Sequence, residues 1–167
     1  KSGLSLDDKK VKNRIVNEMF QRCIKSKPAP LYHKTFSKRV ELGNLTDDLS
    51  KISDVDWIIE VVTEKLNIKQ IVFDQIEKFR SPGTLVTSNT SGIPIKQMNE
   101  GRSEDFRKNF AVTHFFNPPR YLKLFEIIPG PDCDPKIIDF LNDFGERFLG
   151  KDFVLAKDTP GFIGNRI

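Results

Sequence analysis

The spacing of hydrophobic residues changes several times along the chain, and each spacing predicts a different element. Apolar residues three and four positions apart predict amphipathic helices over residues 6–26, 66–79 and 134–148. Shorter helical segments are predicted at residues 46–51 and 95–99. Strands, most of them nearly continuous apolar runs, are predicted at residues 39–42, 55–62, 84–88, 110–116, 122–128 and 152–156. Because strands and helices alternate, the sequence predicts an α/β layer architecture.

The composition narrows the class of protein. The chain has 167 residues, of which 38% are hydrophobic and 30% charged, a mixture that favours a packed core over a disordered tail or a fibre. No apolar run approaches the roughly 18 residues of a membrane span, and the first residues lack the apolar stretch of a signal peptide. Two cysteines and two histidines make neither a disulfide framework nor a good metal site. We therefore expect a soluble, cytoplasmic protein without a metal centre.

The charge distribution says little about a macromolecular partner. The chain carries 27 basic and 23 acidic residues, a net charge of +4, and the excess is spread along the sequence. No basic stripe is interleaved with exposed aromatic residues, so we expect no nucleic-acid partner. An anionic small-molecule substrate is compatible with this balance, although charge alone does not select one.

Two titratable residues lie within predicted apolar strands. His114 is near the carboxyl end of its strand, the edge at which open α/β sheets bind ligands, and imidazole can exchange a proton near neutral pH. Glu126 is in the middle of the next strand, where an unpartnered carboxylate would be costly to bury. If these strands pair, the carboxylate meets one imidazole nitrogen and sets the tautomer. Two alternatives stay open: a core histidine bonded to a backbone carbonyl, and a glutamate facing solvent from an edge strand.

Other polar residues are ambiguous when taken singly. The segment Ser-Asn-Thr-Ser-Gly at 88–92 suits either a ligand-binding loop or an ordinary turn. Glu64 and Lys69 flank the start of a predicted helix, where a carboxylate is favoured by the helix dipole and a lysine by solvent. Asn165 follows a Pro-Gly pair and could simply cap a turn. None of these signals is specific alone.

Their order along the chain is more specific. The segments are Asn-Thr-Ser at 89–91, His-Phe-Phe-Asn-Pro at 114–118, Lys-Leu-Phe-Glu at 123–126 and Lys-Asp-Thr-Pro-Gly-Phe-Ile-Gly-Asn-Arg at 157–166. Together they resemble the NAD-dependent 3-hydroxyacyl-CoA dehydrogenases of fatty-acid β-oxidation. The resemblance runs from about Asp54 to the last residue. It is greatest to the long bacterial forms, in which an enoyl-CoA hydratase-like region follows the dehydrogenase.

The resemblance implies a role for each candidate residue. His114 would be the catalytic base, Glu126 its orienting partner, and Ser91 and Asn165 would contact the substrate. The residues implied along the nicotinamide-ribose side of NAD are Glu64, Lys69, Ser91 and Asn117. The implied reaction oxidises (3S)-3-hydroxyacyl-CoA to 3-ketoacyl-CoA, with an acyl-CoA thioester as substrate and NAD as cofactor.

One departure from the family pattern changes the expected fold. The family begins with a strand and a Gly-x-Gly-x-x-Gly turn that holds the cofactor pyrophosphate, and no two glycines here stand two apart. We therefore expect an incomplete Rossmann-type doubly wound sheet that lacks its N-terminal strand–Gly-rich loop–helix unit. Residues 1–157 would be a truncated NAD-binding domain, and residues 158–167 the beginning of a helical C-terminal domain.

This incompleteness has three expected consequences. The 167 residues alone would bind NAD weakly or not at all and would not turn over substrate. The full-length protein would be a homo-oligomer. The fragment would expose an apolar strand edge and self-associate through it.

Two other functions stay open. One is a non-catalytic relative that keeps the fold for binding or assembly. The other is a different nicotinamide-dependent β-hydroxyacid dehydrogenase, which is expected to use a lysine of its helical domain rather than His114.

Overall fold

The two parts of the chain fold as separate compact units. The computed structural model describes residues 3, 5 and 7–166, and the chain divides into the units Lys1–Ser50 and Lys51–Ile167. The division falls inside the predicted NAD-binding region. The predicted domain boundary between residues 157 and 158 stays a prediction.

The first unit is helical and irregular. Helix α1 spans Lys9–Lys12 and helix α2 spans Arg14–Ile24. Asp8 starts α1 by accepting a hydrogen bond from the backbone N–H of Lys10, as helix N-caps do. The predicted helix over residues 6–26 is therefore present as two helices that meet at Asn13, and its first residue lies outside the described residues.

The strand predicted at residues 39–42 is wrong. Lys34–Arg39 forms a 3₁₀ helix instead, and His33 begins it by accepting a hydrogen bond from the Thr35 N–H. Val40 is extended but belongs to none of the strands of the sheet. An extended segment becomes a strand only when its N–H and C=O groups pair with a neighbour, and single-sequence propensity does not report on that neighbour. A second 3₁₀ helix, Leu49–Asp54, follows.

The second unit contains a mixed five-stranded sheet. Its strands are β1 (Trp57–Glu60), β2 (Leu85–Ser88), β3 (Phe110–Phe115), β4 (Leu124–Pro129) and β5 (Asp152–Leu155), and they lie side by side in chain order. Strands β1, β2 and β3 are parallel, β4 is antiparallel to β3, and β5 is parallel to β4. In the described part of the chain no strand precedes β1 in the sheet.

Four helices connect these strands. They are α3 (Leu66–Phe79), α4 (Ile95–Met98), α5 (Glu104–Lys108) and α6 (Pro135–Arg147). Helix α3 has the predicted bounds. Helix α6 begins where Asp134 accepts a hydrogen bond from the Lys136 N–H, with proline in its first turn, both favoured at helix starts. The sequence analysis missed α5, which Ser103 caps. Residues 158–166 form bends and turns.

The sheet is covered on both faces, which makes the fold α/β and Rossmann-type, as predicted. One hydrophobic cluster contains Phe73 of α3 together with Phe110 and Val112 of β3. The other hydrophobic cluster contains Leu141 of α6 and Ala111, which lies between Phe110 and Val112 in β3. Since successive side chains of a strand point to opposite faces, α3 and α6 pack on opposite sides of β3. None of the described helices has the length and apolar character needed to cross a membrane.

Candidate active site

The antiparallel pairing of β3 and β4 brings His114 opposite Glu126. Their side chains meet, with His114 Nδ1 2.7 Å from Glu126 Oε2, and the two residues are 5% and 0% exposed. This confirms the strand pairing on which the predicted pair depends. Because β4 lies between β3 and β5, Glu126 does not face solvent from an edge strand, and that alternative is wrong.

The second oxygen of Glu126 is held by the backbone. Oε1 accepts hydrogen bonds from the N–H groups of Ile163 and Gly164, at 2.9 and 2.7 Å. A buried carboxylate is tolerated when its oxygens are hydrogen-bonded. In the described part of the chain, Glu126 meets this requirement with two N–H groups and an imidazole rather than with a lysine or arginine.

The imidazole of His114 is enclosed by two aromatic rings. The ring centre of Phe116 lies 4.5 Å away and that of Phe162 lies 5.7 Å away, both at steep angles. When the ring is neutral and Nδ1 donates to Glu126, Nε2 presents its lone pair. The arrangement therefore suits Nε2 for accepting and returning a proton.

A second buried carboxylate ends strand β1. Both oxygens of Glu60 contact the Lys69 ammonium, at 3.0 and 2.9 Å, and Lys69 is 1% exposed. Ser88 Oγ and the Val62 N–H also donate to Glu60. The structure thus places Lys69 in a buried ion pair, whereas the resemblance places it beside the cofactor.

Glu64 connects this ion pair to the loop after β2. Its Oε2 lies 3.4 Å from Lys69 Nζ, and its Oε1 accepts hydrogen bonds from Thr90 Oγ1 and the Ser91 N–H. Partial burial raises the pKa of Glu64, but the Thr90 and Ser91 hydrogen bonds and the Lys69 charge outweigh it, so the net pKa is lowered. Its side chain is 47% exposed, so the ionised carboxylate is available to solvent and ligands.

Asn89 joins the two clusters. Its Oδ1 accepts a hydrogen bond from the Phe115 N–H at 2.9 Å, which ties the loop after β2 to the end of β3. Glu60 was not among the predicted site residues, and Ser88, Asn89 and Thr90 were noted only as parts of a polar segment. Glu60 carried a usable signal, because it is a carboxylate in an apolar strand, as Glu126 is.

The remaining predicted residues lie at loop positions around this edge. Ser91 follows β2 and Asn117 follows β3, both at the carboxyl ends of parallel strands, and both are exposed. Asn165 is exposed and is the direct neighbour of Gly164. The structure therefore brings His114 to Glu126 and Glu64 to the Ser91 backbone. Among the described residues, no three His, Cys, Asp or Glu side chains gather as metal ligands.

An open sheet with polar loops beyond the carboxyl ends of its parallel strands defines a nucleotide-binding type of α/β protein, and the buried His–Glu pair adds an acid–base group. Residues 6–159 match the family model of the 3-hydroxyacyl-CoA dehydrogenase, NAD binding domain. The chain belongs to this family, which confirms the resemblance found in its sequence.

Two bacterial relatives are described as probable 3-hydroxyacyl-CoA dehydrogenases. The Bacillus subtilis protein is 49% identical over 167 residues, which is all of this chain and 21% of that protein. The Deinococcus radiodurans protein is 43% identical over 97% of this chain and 47% of that protein. The chain thus spans between a fifth and a half of the length of these relatives.

A solved structure has the same fold. The 3-hydroxybutyryl-CoA dehydrogenase of Escherichia coli superposes with a TM-score of 0.73 and 29% identity, covering 94% of this chain and 32% of that one. The expectation of a Rossmann-type α/β fold is confirmed by this similarity and by the sheet itself.

Proposed function

We propose that the natural protein containing these 167 residues oxidises (3S)-3-hydroxyacyl-CoA to 3-ketoacyl-CoA with NAD. The observation that carries this proposal is the buried His114–Glu126 pair near the carboxyl edge of the sheet, in a chain of the dehydrogenase family. Acyl-CoA thioesters are the proposed substrates, and fatty-acid β-oxidation in the cytoplasm the proposed setting.

The proton moves through His114. Nε2 takes the proton of the 3-hydroxyl group, and the imidazolium that forms is stabilised by Glu126 across Nδ1. In the reverse direction the imidazolium returns this proton to the 3-keto oxygen. Ser91 and Asn165, both exposed, would contact oxygen atoms of the substrate near the reacting carbon.

The cofactor proposal rests on the exposed polar groups at the same edge. Glu64, Ser91 and Asn117 suit the hydroxyl and amide groups of a nicotinamide riboside, and Lys69 would act on it indirectly by holding Glu64. Bound NAD supplies the acceptor for the hydride that leaves C3 of the substrate. The chain has no Gly-x-Gly-x-x-Gly turn for the pyrophosphate, so its residues fit the nicotinamide-ribose half of the cofactor.

The test is NADH consumption with acetoacetyl-CoA by the natural protein that contains this chain. We expect turnover, and we expect His114→Ala to lower kcat about 10²–10⁴-fold, the usual contribution of a positioned acid–base group. The second histidine, His33, is exposed, so His33→Ala is the matched control and should leave kcat unchanged. A folded protein without turnover would sink the proposal and favour a non-catalytic relative. Activity that survives His114→Ala would favour a lysine-dependent dehydrogenase.

Assembly is a separate part of the proposal. Strand β1 is at one end of the sheet, and Ile59 within it is 44% exposed. Unpaired strand edges tend to pair with another copy. We therefore expect the 167-residue chain to self-associate through β1, and the natural protein to be a homo-oligomer. A monomeric mass for the chain by light scattering would contradict the first expectation.

A further inference from the structure

The turn of residues 161–164 reaches the acid–base pair from a distant part of the chain. Its N–H groups at Ile163 and Gly164 both bind Glu126 Oε1. Asp158 secures the start of the same segment, since its carboxylate accepts a hydrogen bond from the Ile95 N–H at 2.9 Å. Phe162 is 2% exposed and packs on the His114 ring.

The backbone of this turn is unusual. Phe162 has φ of +48° and Gly161 has φ of +76°, the left-handed region that bulky residues rarely adopt. Such a conformation persists when the surrounding structure holds it. Here the buried Phe162 ring and the two hydrogen bonds to Glu126 hold it.

Gly164 is the position at which the turn approaches the pair most closely. A Cβ placed there would overlap Phe116 Cζ and would lie 2.9 Å from Phe116 Cε1. The Phe116 ring in turn packs against the imidazole of His114, with ring centres 4.5 Å apart. Any side chain at 164 must therefore displace the turn or the ring beside His114.

We propose that this turn fixes the orientation of the Glu126 side chain, with Oε2 toward Nδ1 of His114, and that Gly164 is the positioning residue. Because Oε1 is occupied by two N–H groups, Oε2 is the oxygen left to face Nδ1. A carboxylate oxygen can only accept, so the proton of the neutral ring is held on Nδ1, and Nε2 is left as the base. The catalytic meaning of this orientation rests on the proposed function, whereas the orientation itself does not.

The substitution Glu126→Gln tests the orientation, because an amide, unlike a carboxylate, has one accepting and one donating end. If the turn sets the orientation of the side chain at position 126, the amide oxygen stays with the N–H groups of residues 163 and 164. The amide nitrogen then faces Nδ1. His114 must then accept at Nδ1 and carry its proton on Nε2. The reversed tautomer follows from the turn alone, without any substrate or cofactor.

The measurement is nitrogen-15 NMR of histidine-labelled 167-residue chain at about pH 9, where ordinary imidazoles are neutral. The chain has two histidines, so exposed His33 serves as the internal reference. We expect the Nδ1–H tautomer of His114 in the native sequence and the Nε2–H tautomer in Glu126→Gln. Retention of the Nδ1–H tautomer in Glu126→Gln would overturn the proposal.

Adding Gly164→Ala to Glu126→Gln tests the positioning residue. Displacement of the turn releases the amide, so the Nδ1–H tautomer should return in a mixture with the other. Gly101→Ala is the matched control, because Gly101 has φ of +75° and open space around its would-be Cβ, which adds backbone strain away from the pair. An unchanged tautomer on adding Gly164→Ala would overturn the role of Gly164. If circular dichroism shows that the double variant does not fold, the single Glu126→Gln variant still decides the orientation.

Kinetic measurements on the natural protein distinguish a failure of this proposal from a failure of the proposed function. In the natural protein, Glu126→Gln should lower kcat by about 10²–10⁴-fold, as loss of the base does, with the KM for NADH little changed. A reversed tautomer with full turnover would overturn the catalytic assignment of the pair while leaving the orientation established. A native tautomer in Glu126→Gln would overturn the orientation whatever the activity.

Discussion

Two carboxylates are buried in the same sheet, and their partners differ. Glu60, 3% exposed at the end of β1, is neutralised by the ammonium of Lys69. Glu126, fully buried in β4, is satisfied by two backbone N–H groups and the imidazole of His114. The first pair joins a carboxylate to a lysine ammonium, which only donates hydrogen bonds, whereas the second joins a carboxylate to an imidazole, which has two distinct ring nitrogens.

The difference lies in the kind of side chain that faces each carboxylate. The Lys69 ammonium, in a residue 1% exposed, contacts carboxylate oxygens of both Glu60 and Glu64. At Glu126 the two backbone N–H groups bind one oxygen, and the other oxygen faces the imidazole of His114. Glu60 also accepts from a backbone N–H, that of Val62, so the ammonium and not the presence of a backbone donor distinguishes the two sites.

The largest stability effect should come from the Glu60 pair. Lys69→Met leaves Glu60 buried without a counter-charge, and breaking a buried ion pair in this way costs about 3–5 kcal/mol. Glu60→Gln combined with Lys69→Met removes both charges and should recover a large part of the loss. Urea unfolding of the 167-residue chain measures both. A double variant no more stable than Lys69→Met would contradict this assignment.

His114→Ala should cost less stability than Lys69→Met. Glu126 then loses one partner but keeps the N–H groups of Ile163 and Gly164, and loss of a single buried hydrogen-bond partner costs about 1–3 kcal/mol. The same unfolding measurement applies. Equal losses of stability for the two substitutions would contradict this ranking.

The smallest effect on stability should come from substituting Glu64, which contacts Lys69 of the Glu60 pair and is partly exposed. Its lowered pKa stabilises the fold above the ordinary pKa of 4.5, and that contribution is lost as the pH falls through the lower folded value. Glu64→Gln should therefore cost roughly 0.5–1 kcal/mol at neutral pH, a figure reduced by solvent screening. The difference should shrink below about pH 4.5.

Unfolding of the native chain and Glu64→Gln across this pH range gives the measurement. Glu100→Gln, which changes an exposed carboxylate, is the matched control and should show no such pH-dependent difference. The free energies of unfolding of the native chain and Glu64→Gln should converge at acid pH. A difference that stays constant from neutral to acid pH would show that the ionised form of Glu64 contributes nothing to stability.

The local sequence pattern predicted well those helices and strands that are long or strongly apolar. Helix α3 has its predicted bounds, and Asp134 with Pro135 placed the start of α6, because capping and periodicity are properties of neighbouring residues. The predicted strand at residues 39–42 was wrong, and α5 was missed. Both are short, so their conformation depends on contacts more than on their own residues.

The candidate site also has features that the sequence predicts and features that depend on the fold. The sequence by itself determined that His114 and Glu126 are titratable groups in adjacent apolar strands, because the cost of burying a lone charge can be read from one segment. Only the tertiary structure decided that Lys69 forms an ion pair with Glu60, and that Glu126 is held by N–H groups 37 and 38 residues along the chain. The identity of a residue shows which hydrogen bonds its side chain can make. A backbone N–H, by contrast, is present at nearly every residue. Which one lies in reach of a carboxylate is therefore a property of the fold.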